Sequence, residues 1–300
     1  MLRDAIRKNR ALLSITSLRC TLDPARIVVR DFCCMLAISF FDKDRMFQYF
    51  QAWRRRRILK RFPVADSLWQ YAVTHIPALH GLSVEEGARL RQWVSLFLHE
   101  KSINGAGGLV LSEHMRVMIA TQACLPILNL DLDYYAGWVE IIVYPAEFEP
   151  EYDVTDEYGV VHHTRRTLSG EAWLDGPVVL SWADAENLHT PPGHNVVIHE
   201  FAHKLDMLNG SANGYPPLHA GMQRETWSAA FQSAFDTIRR QINAGIDPPI
   251  NTYAAETPGE FFAVLSEAFF ETPQTVKLHY PDVYSQLSLY YRQDPAQRRL

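Results

Sequence analysis

Between Ser83 and Glu100 the chain reads SVEEGARLRQWVSLFLHE, with Leu90, Trp93, Val94 and Phe97 on the spacing of one helical face. Ser83, followed three residues later by Glu86, has the form of a capping box, so a helix is predicted to begin there. Gly105, Gly107 and Gly108 break the pattern, and a second helical run is expected over about 112–128. The period then changes. GWVEIIVYP (137–145) is β-branched and aromatic and closes on a proline, which predicts a buried strand. EYGVVHHTRRT (157–167) predicts a strand or hairpin, and GPVVLSW (176–182) a further strand. After Pro191, Pro192 and Gly193 helical patterns return, at about 195–208, 222–243, 258–271 and 281–292. Helices, a few strands and helices again describe an α+β fold rather than alternating βαβ units.

The first 45 residues stand apart from this pattern. DFCCMLAISFF (31–41) is apolar but short of the roughly 20 residues that span a bilayer. It also lies too far in, and lacks the small-residue cleavage site, for an export signal. Residues 1–45 are therefore expected to be a disordered leader or an over-long start, with the working protein beginning near Met46. A helical part over 46–135 and a catalytic part over 136–300 would follow. No membrane span and no export signal point to the cytoplasm.

Cys20, Cys33, Cys34 and Cys124 form no C-x-x-C pair, which argues against a disulfide framework and for a reducing compartment. Any metal site must then draw on histidines and carboxylates. The net charge of −5 is unevenly spread: residues 1–63 hold 15 Lys and Arg against 5 Asp, leaving 14 basic and 29 acidic residues elsewhere. The run Arg54–Arg57 could meet an anionic partner, but a solvated helix face explains it as well. The acidic bulk of the chain excludes a general DNA binder, and no direct nucleic-acid contact is expected.

The densest chemistry lies in HNVVIHEFAHKLD (194–206). Residues four apart share a helix face, so His199 and His203 can offer two imidazole nitrogens to one metal. Glu200, one step round, can take a proton from water. H-E-x-x-H on a helix is the arrangement a metallopeptidase needs. A third protein ligand is required as well. The extended H-E-x-x-H-x-x-G-x-x-H form fails, because Asp206 replaces its glycine and Asn209 its last histidine. TPGEFFAVLSEAFFE (257–271) offers Glu260, Glu267 and Glu271 instead. Glu260 and Glu267 are seven apart and can face one side among phenylalanines, where an unpaired carboxylate would be costly. Thr257, Pro258 and Glu260 also read as N-cap, N1 and N3 of a helix, so Glu260 could simply close a capping box. Spacing alone leaves Glu260 and Glu267 even. His162 and His163 are adjacent and on a strand would face opposite ways; His194 and His219 read as loop residues.

VVIHEFAHKLDMLNG, INTYAAETPGEFFAVLSEAFF and YYRQDPAQR closely resemble the Mlc titration factor A family of cytoplasmic bacterial zinc peptidases. LPILNLDLDYYAGWVEIIVYPAEF, GVVHHTRRTLSGEAW and GPVVLSWAD extend the likeness over roughly 46–300. The resemblance implies a zincin-like fold, similar in its catalytic part to the zinc-binding domain of anthrax lethal factor. It makes Glu260 the third ligand of one zinc ion per chain. Tyr253, seven residues earlier, becomes an oxyanion stabiliser or proton donor. It leaves Glu267 and Asp206 as candidates to hold a ligand from behind. The implied activity is peptide-bond hydrolysis of the gluzincin type, chiefly as an aminopeptidase on small substrates, with water activated by zinc and Glu200 as base. Sequestration of the glucose repressor Mlc is implied beside it. A binding protein with vestigial peptidase activity is the alternative. A strand such as 176–182 is expected to receive an extended peptide by strand addition.

Overall fold

The structure is a computed structural model that describes Met46 and residues 48–298, apart from 148–150, 156–160, 166–169, 175 and 187–191; over 151–155 and 161–165 it describes the backbone alone. What was expected of residues 1–45 lies outside these. The chain divides into two compact units, Met1–Arg55 and Arg56–Leu300. In the first, residues 48–55 are helical and largely exposed.

The second unit is mostly helical around a small mixed sheet. Residues 56–61 are helical, and α1 (Asp66–His75) and α2 (Val84–Glu100) follow. The capping box forms as the sequence requires: Ser83 Oγ accepts the Glu86 amide at 3.1 Å, and Glu86 Oε2 accepts the Ser83 amide at 2.9 Å. The glycine-rich break after α2 holds a short strand, β1 (Ser102–Gly105), which the sequence did not disclose. The next helix, α3 (Glu113–Cys124), ends before the expected 128. Pro126 has no amide to continue the helical ladder.

β2 (Glu140–Tyr144) and β6 (Val178–Ser181) fall within the predicted strands. β3 (Glu151–Thr155) and β4 (Val161–Arg165) form an antiparallel hairpin of their own. The four-stranded sheet has the order β1-β2-β6-β5, where β5 is Gly170–Ala172. β1, β2 and β6 are parallel, and β5 is antiparallel to β6. Ile103, Ile141, Val143, Val178 and Leu180 are buried along it. The sheet corrects one expectation. β6 is paired on both sides, so it has no free edge on which a peptide could form a strand; β5 is the outer strand.

Helix α4 (Val196–Asp206) packs on β5 and β6. Phe201 anchors its inner face, with ring centroids 5.0 Å from Tyr135, 5.6 Å from Trp138 and 5.7 Å from Phe97. α5 (Arg224–Asn243) buries Trp227, Phe231, Phe235 and Ile238 on one stripe. That stripe meets α6 (Pro258–Glu271), Phe235 lying 5.3 Å from Phe261 ring to ring. α7 (Pro273–His279) and α8 (Pro281–Tyr291) complete the unit. No described helix is long and apolar enough to cross a membrane.

Candidate metal centre

The centre starts from the cap of α4. Asn195 Oδ1 accepts the Ile198 amide at 3.0 Å, which starts the helix, while Asn195 Nδ2 donates to Gln122 Oε1 and Glu271 Oε1 at 2.8 and 2.7 Å. From that start His199 and His203 fall one turn apart, with ring centroids 4.8 Å from each other. α6 lies alongside α4, and its first turn supplies the third group. Thr257 Oγ1 accepts the Glu260 amide at 3.2 Å, with Pro258 at the first helical position. The Glu260 carboxylate turns toward the imidazoles.

His199 Nε2, His203 Nε2 and Glu260 Oε2 are separated by 3.2, 3.0 and 3.3 Å: histidine to histidine, then each histidine to the carboxylate. Four ligands about 2.0–2.1 Å from a tetrahedral zinc lie about 3.3 Å apart, so this triangle has the size of one face of such a site. Among the described residues it is the one group of three or more His, Cys, Asp or Glu side chains able to share an ion. His199 Nδ1 lies 2.6 Å from Glu267 Oε1, so Nε2 is the ring nitrogen that faces the triangle. Two imidazole nitrogens and a carboxylate oxygen converging at these distances are a donor set that could hold one ion. The residues therefore fit a metal.

The charges agree. Burial opposes a charge on His199, but the Glu267 and Glu260 carboxylates outweigh it and hold its pKa well above the usual imidazole range. Burial likewise opposes the charge on Glu260, and hydrogen bonds from His199 and His203 overcome it, leaving that carboxyl far below the usual range. Glu200 is 4% exposed, and burial pushes its pKa up to about 7 against the pull of His199 and His203. One wall of its site is backbone: a Cβ on Gly170 would lie 2.5 Å from Glu200 Oε1.

Tyr253 sits on a 3₁₀ turn, Thr252–Ala255, capped by Asn251, whose Oδ1 accepts the Tyr253 amide at 3.0 Å. Its ring centre is 6.1 Å from that of His199. Asp206 is fully buried at the end of α4 and accepts the Gly214 amide at 2.7 Å. His219 is taken up by Tyr134 and the Tyr290 carbonyl, and His194 by Asn251.

Residues 50–292 match the family of glucose-regulated metallo-peptidases M90. The chain belongs to that family. M90 relatives include the Mlc titration factor A of Salmonella arizonae, 38% identical over 253 residues that cover 82% of this chain and 97% of the relative. The protein of the same name from Yersinia enterocolitica is 38% identical over 241 residues, covering 79% and 90%. That from Klebsiella pneumoniae is 36% identical over 237, covering 78% and 89%. The likeness first drawn from the motifs thus extends over most of the chain, and it makes this protein a metallopeptidase by family.

Sequence reasoning missed three contributors to this M90 site. Asn195 stands where an N-cap is expected, yet its other partners come from α3 and α6. Asn251, likewise, is a recognisable turn cap ahead of Tyr253. Gly170 left no signal, because β5 is too short to show a period.

Proposed function

We propose that this protein is a zinc-dependent peptidase with a zincin-like fold, in which His199, His203 and Glu260 hold one zinc ion per chain. The triangle of their three ligand atoms, with the buried Glu200 beside it, carries this reading. When bound, zinc supplies a Lewis acid that polarises the scissile carbonyl and acidifies water. Glu200 takes a proton from the attacking water and returns it to the leaving amine. Burial raises the pKa of Glu200 and so favours its taking up a proton. Tyr253 donates a hydrogen bond to the oxyanion, a contact worth roughly 2.7–4 kcal/mol in other hydrolases. Glu267 orients His199 through its other ring nitrogen. Asp206 braces the end of the same helix. Small peptides, cleaved in the manner of an aminopeptidase, are the substrates the resemblance favours, and the cytoplasm is the compartment.

The name shared by the relatives supports a second role, binding of the Mlc repressor, in which peptidase activity could be secondary. One set of measurements separates the two. Glu200→Gln should retain about one zinc by elemental analysis and lose peptide turnover by about 10²–10⁴-fold. Near-normal turnover would remove Glu200 as base. Purified Mlc retained by the Glu200→Gln protein would make sequestration independent of hydrolysis, and its loss would tie the two together.

A further inference from the structure

Resting on that metal-site reading, we propose that Asp206 is a positioning residue that sets Glu260 against the two histidines, acting through the loop around Gly214. Asp206 closes the helix that carries His199 and His203, and it is fully buried. Burying a carboxylate is costly, and a hydrogen bond to it offsets part of that cost. Asp206 Oδ2 accepts the Gly214 amide at 2.7 Å, and the Tyr215 amide is held within the same loop by Asn213 Oδ1 at 2.9 Å. One turn on, Asn209 Nδ2 donates to the Tyr215 carbonyl at 2.9 Å. Asp206 and Asn209 are the two positions that break the longer H-E-x-x-H pattern, and both hold the same loop.

The far side of that loop meets α6. Gly214 has φ +75°, and a Cβ there would fall within 3 Å of the Pro258 carbonyl oxygen. A Cβ on Gly259 would come 3.1 Å from the Ala212 carbonyl oxygen. The Gly214 carbonyl is pinned in turn by the buried indole of Trp227, whose Nε1 donates at 3.1 Å. Backbone therefore lies against backbone from 212–214 to 258–259, immediately before Glu260. The contacts run from the end of the helix bearing two ligands to the start of the helix bearing the third. A direct hold on His203 is the competing role for Asp206. His203 Nδ1 and Asp206 Oδ1 are each buried without a hydrogen-bond partner among the described residues, so the two side chains are not bonded to each other.

The test uses the full chain, with zinc affinity read by competition against a chromophoric chelator. Amide exchange is followed over 212–215 and 258–261 in metal-free protein. Asp206→Ala is expected to weaken zinc binding by about 10–100-fold, the range for supporting partners of metal ligands. It should also speed exchange at both segments. In a Glu260→Ala background the same change should have little further effect on affinity, because its influence passes through Glu260. Asp206→Asn, which keeps an acceptor oxygen, should recover most of the loss; an Asn variant as weak as Ala would overturn the route through Gly214. Wild-type affinity in Asp206→Ala, a loss that adds fully to that of Glu260→Ala, or unchanged exchange at 258–261 would each overturn it as well. If Asp206→Ala does not fold, Gly214→Ala carries the test: its new methyl presses on Pro258 and must weaken binding only while Glu260 is present. If the wild-type chain binds no zinc, the peptidase reading fails, and exchange at 258–261 in metal-free protein still decides whether Asp206 sets that turn.

Discussion

Helix α4 brings the two histidines and Glu200 together within 199–203, whereas α6 contributes Glu260 near its start and Glu267 two turns later. The first arrangement is local. Once Asn195 starts α4, helical periodicity alone puts the imidazoles on one face. The second depends on the rest of the molecule, because α6 is buried almost all round, from Phe261 to Phe270 without interruption. A helix with no polar face has no stripe from which its orientation can be read. What holds Glu260 and Glu267 is their partners: the imidazole Nε2 atoms for Glu260, and His199 Nδ1 with the Asn195 amide for Glu267.

That contrast can be broken most sharply at α6. Glu260→Ala should reduce zinc affinity by more than the roughly 100-fold upper range for an outer partner, measured by chelator competition. Retention of tight binding would move the third ligand elsewhere. On the α4 side, Gly170→Ala should lower turnover by about 10²-fold, as a displacement of the base near 1 Å would, with zinc content unchanged. Normal kcat would show that Glu200 does not need the bare backbone of β5. Glu267→Ala should weaken zinc binding by about 10–100-fold without abolishing it. A loss equal to that of Glu260→Ala would erase the distinction between the two glutamates.

The smallest effect concerns Glu271. Burial, reinforced by Glu267 and opposed by the Asn195 hydrogen bond, pushes its pKa up to about 7. The folded state then holds this proton more tightly than the unfolded state. Stability is whole below about pH 4.5 and falls as pH rises toward 7, by about 1.4 kcal/mol for each pH unit of that window. Glu271→Gln keeps the acceptor for Asn195 and removes the charge. It should raise the melting temperature by a few degrees at pH 8 and leave it unchanged at pH 4.5. Equal melting at pH 8 would show that the carboxylate is accommodated without penalty.

The legible parts of the chain are those whose cause is local. Ser83 and Glu86 close their capping box because both partners lie within one turn. Residues 140–144 and 178–181 read as strands because they are β-branched and buried. β1 hid among glycines and β5 is only Gly170–Ala172, so neither offered a pattern. Spacing left Glu260 and Glu267 even for a sound reason: both do face His199, one toward each ring nitrogen. Which nitrogen each one meets depends on how far α6 advances along its own axis. Tertiary contacts such as the loop around Gly214 fix that advance.

Glu267 carries a last consequence. While one of its oxygens meets His199, the other accepts the Asn195 amide at 2.6 Å, at the point where α4 begins. A single carboxylate thus serves both the ligand and the first turn of its helix. Rotation of that group would loosen the two together, so loss of the ion would be felt as fraying of residues 196–198, read by their amide exchange. If His199 holds zinc as proposed, metal occupancy and the integrity of that turn are linked, and the melting temperature should rise with free zinc.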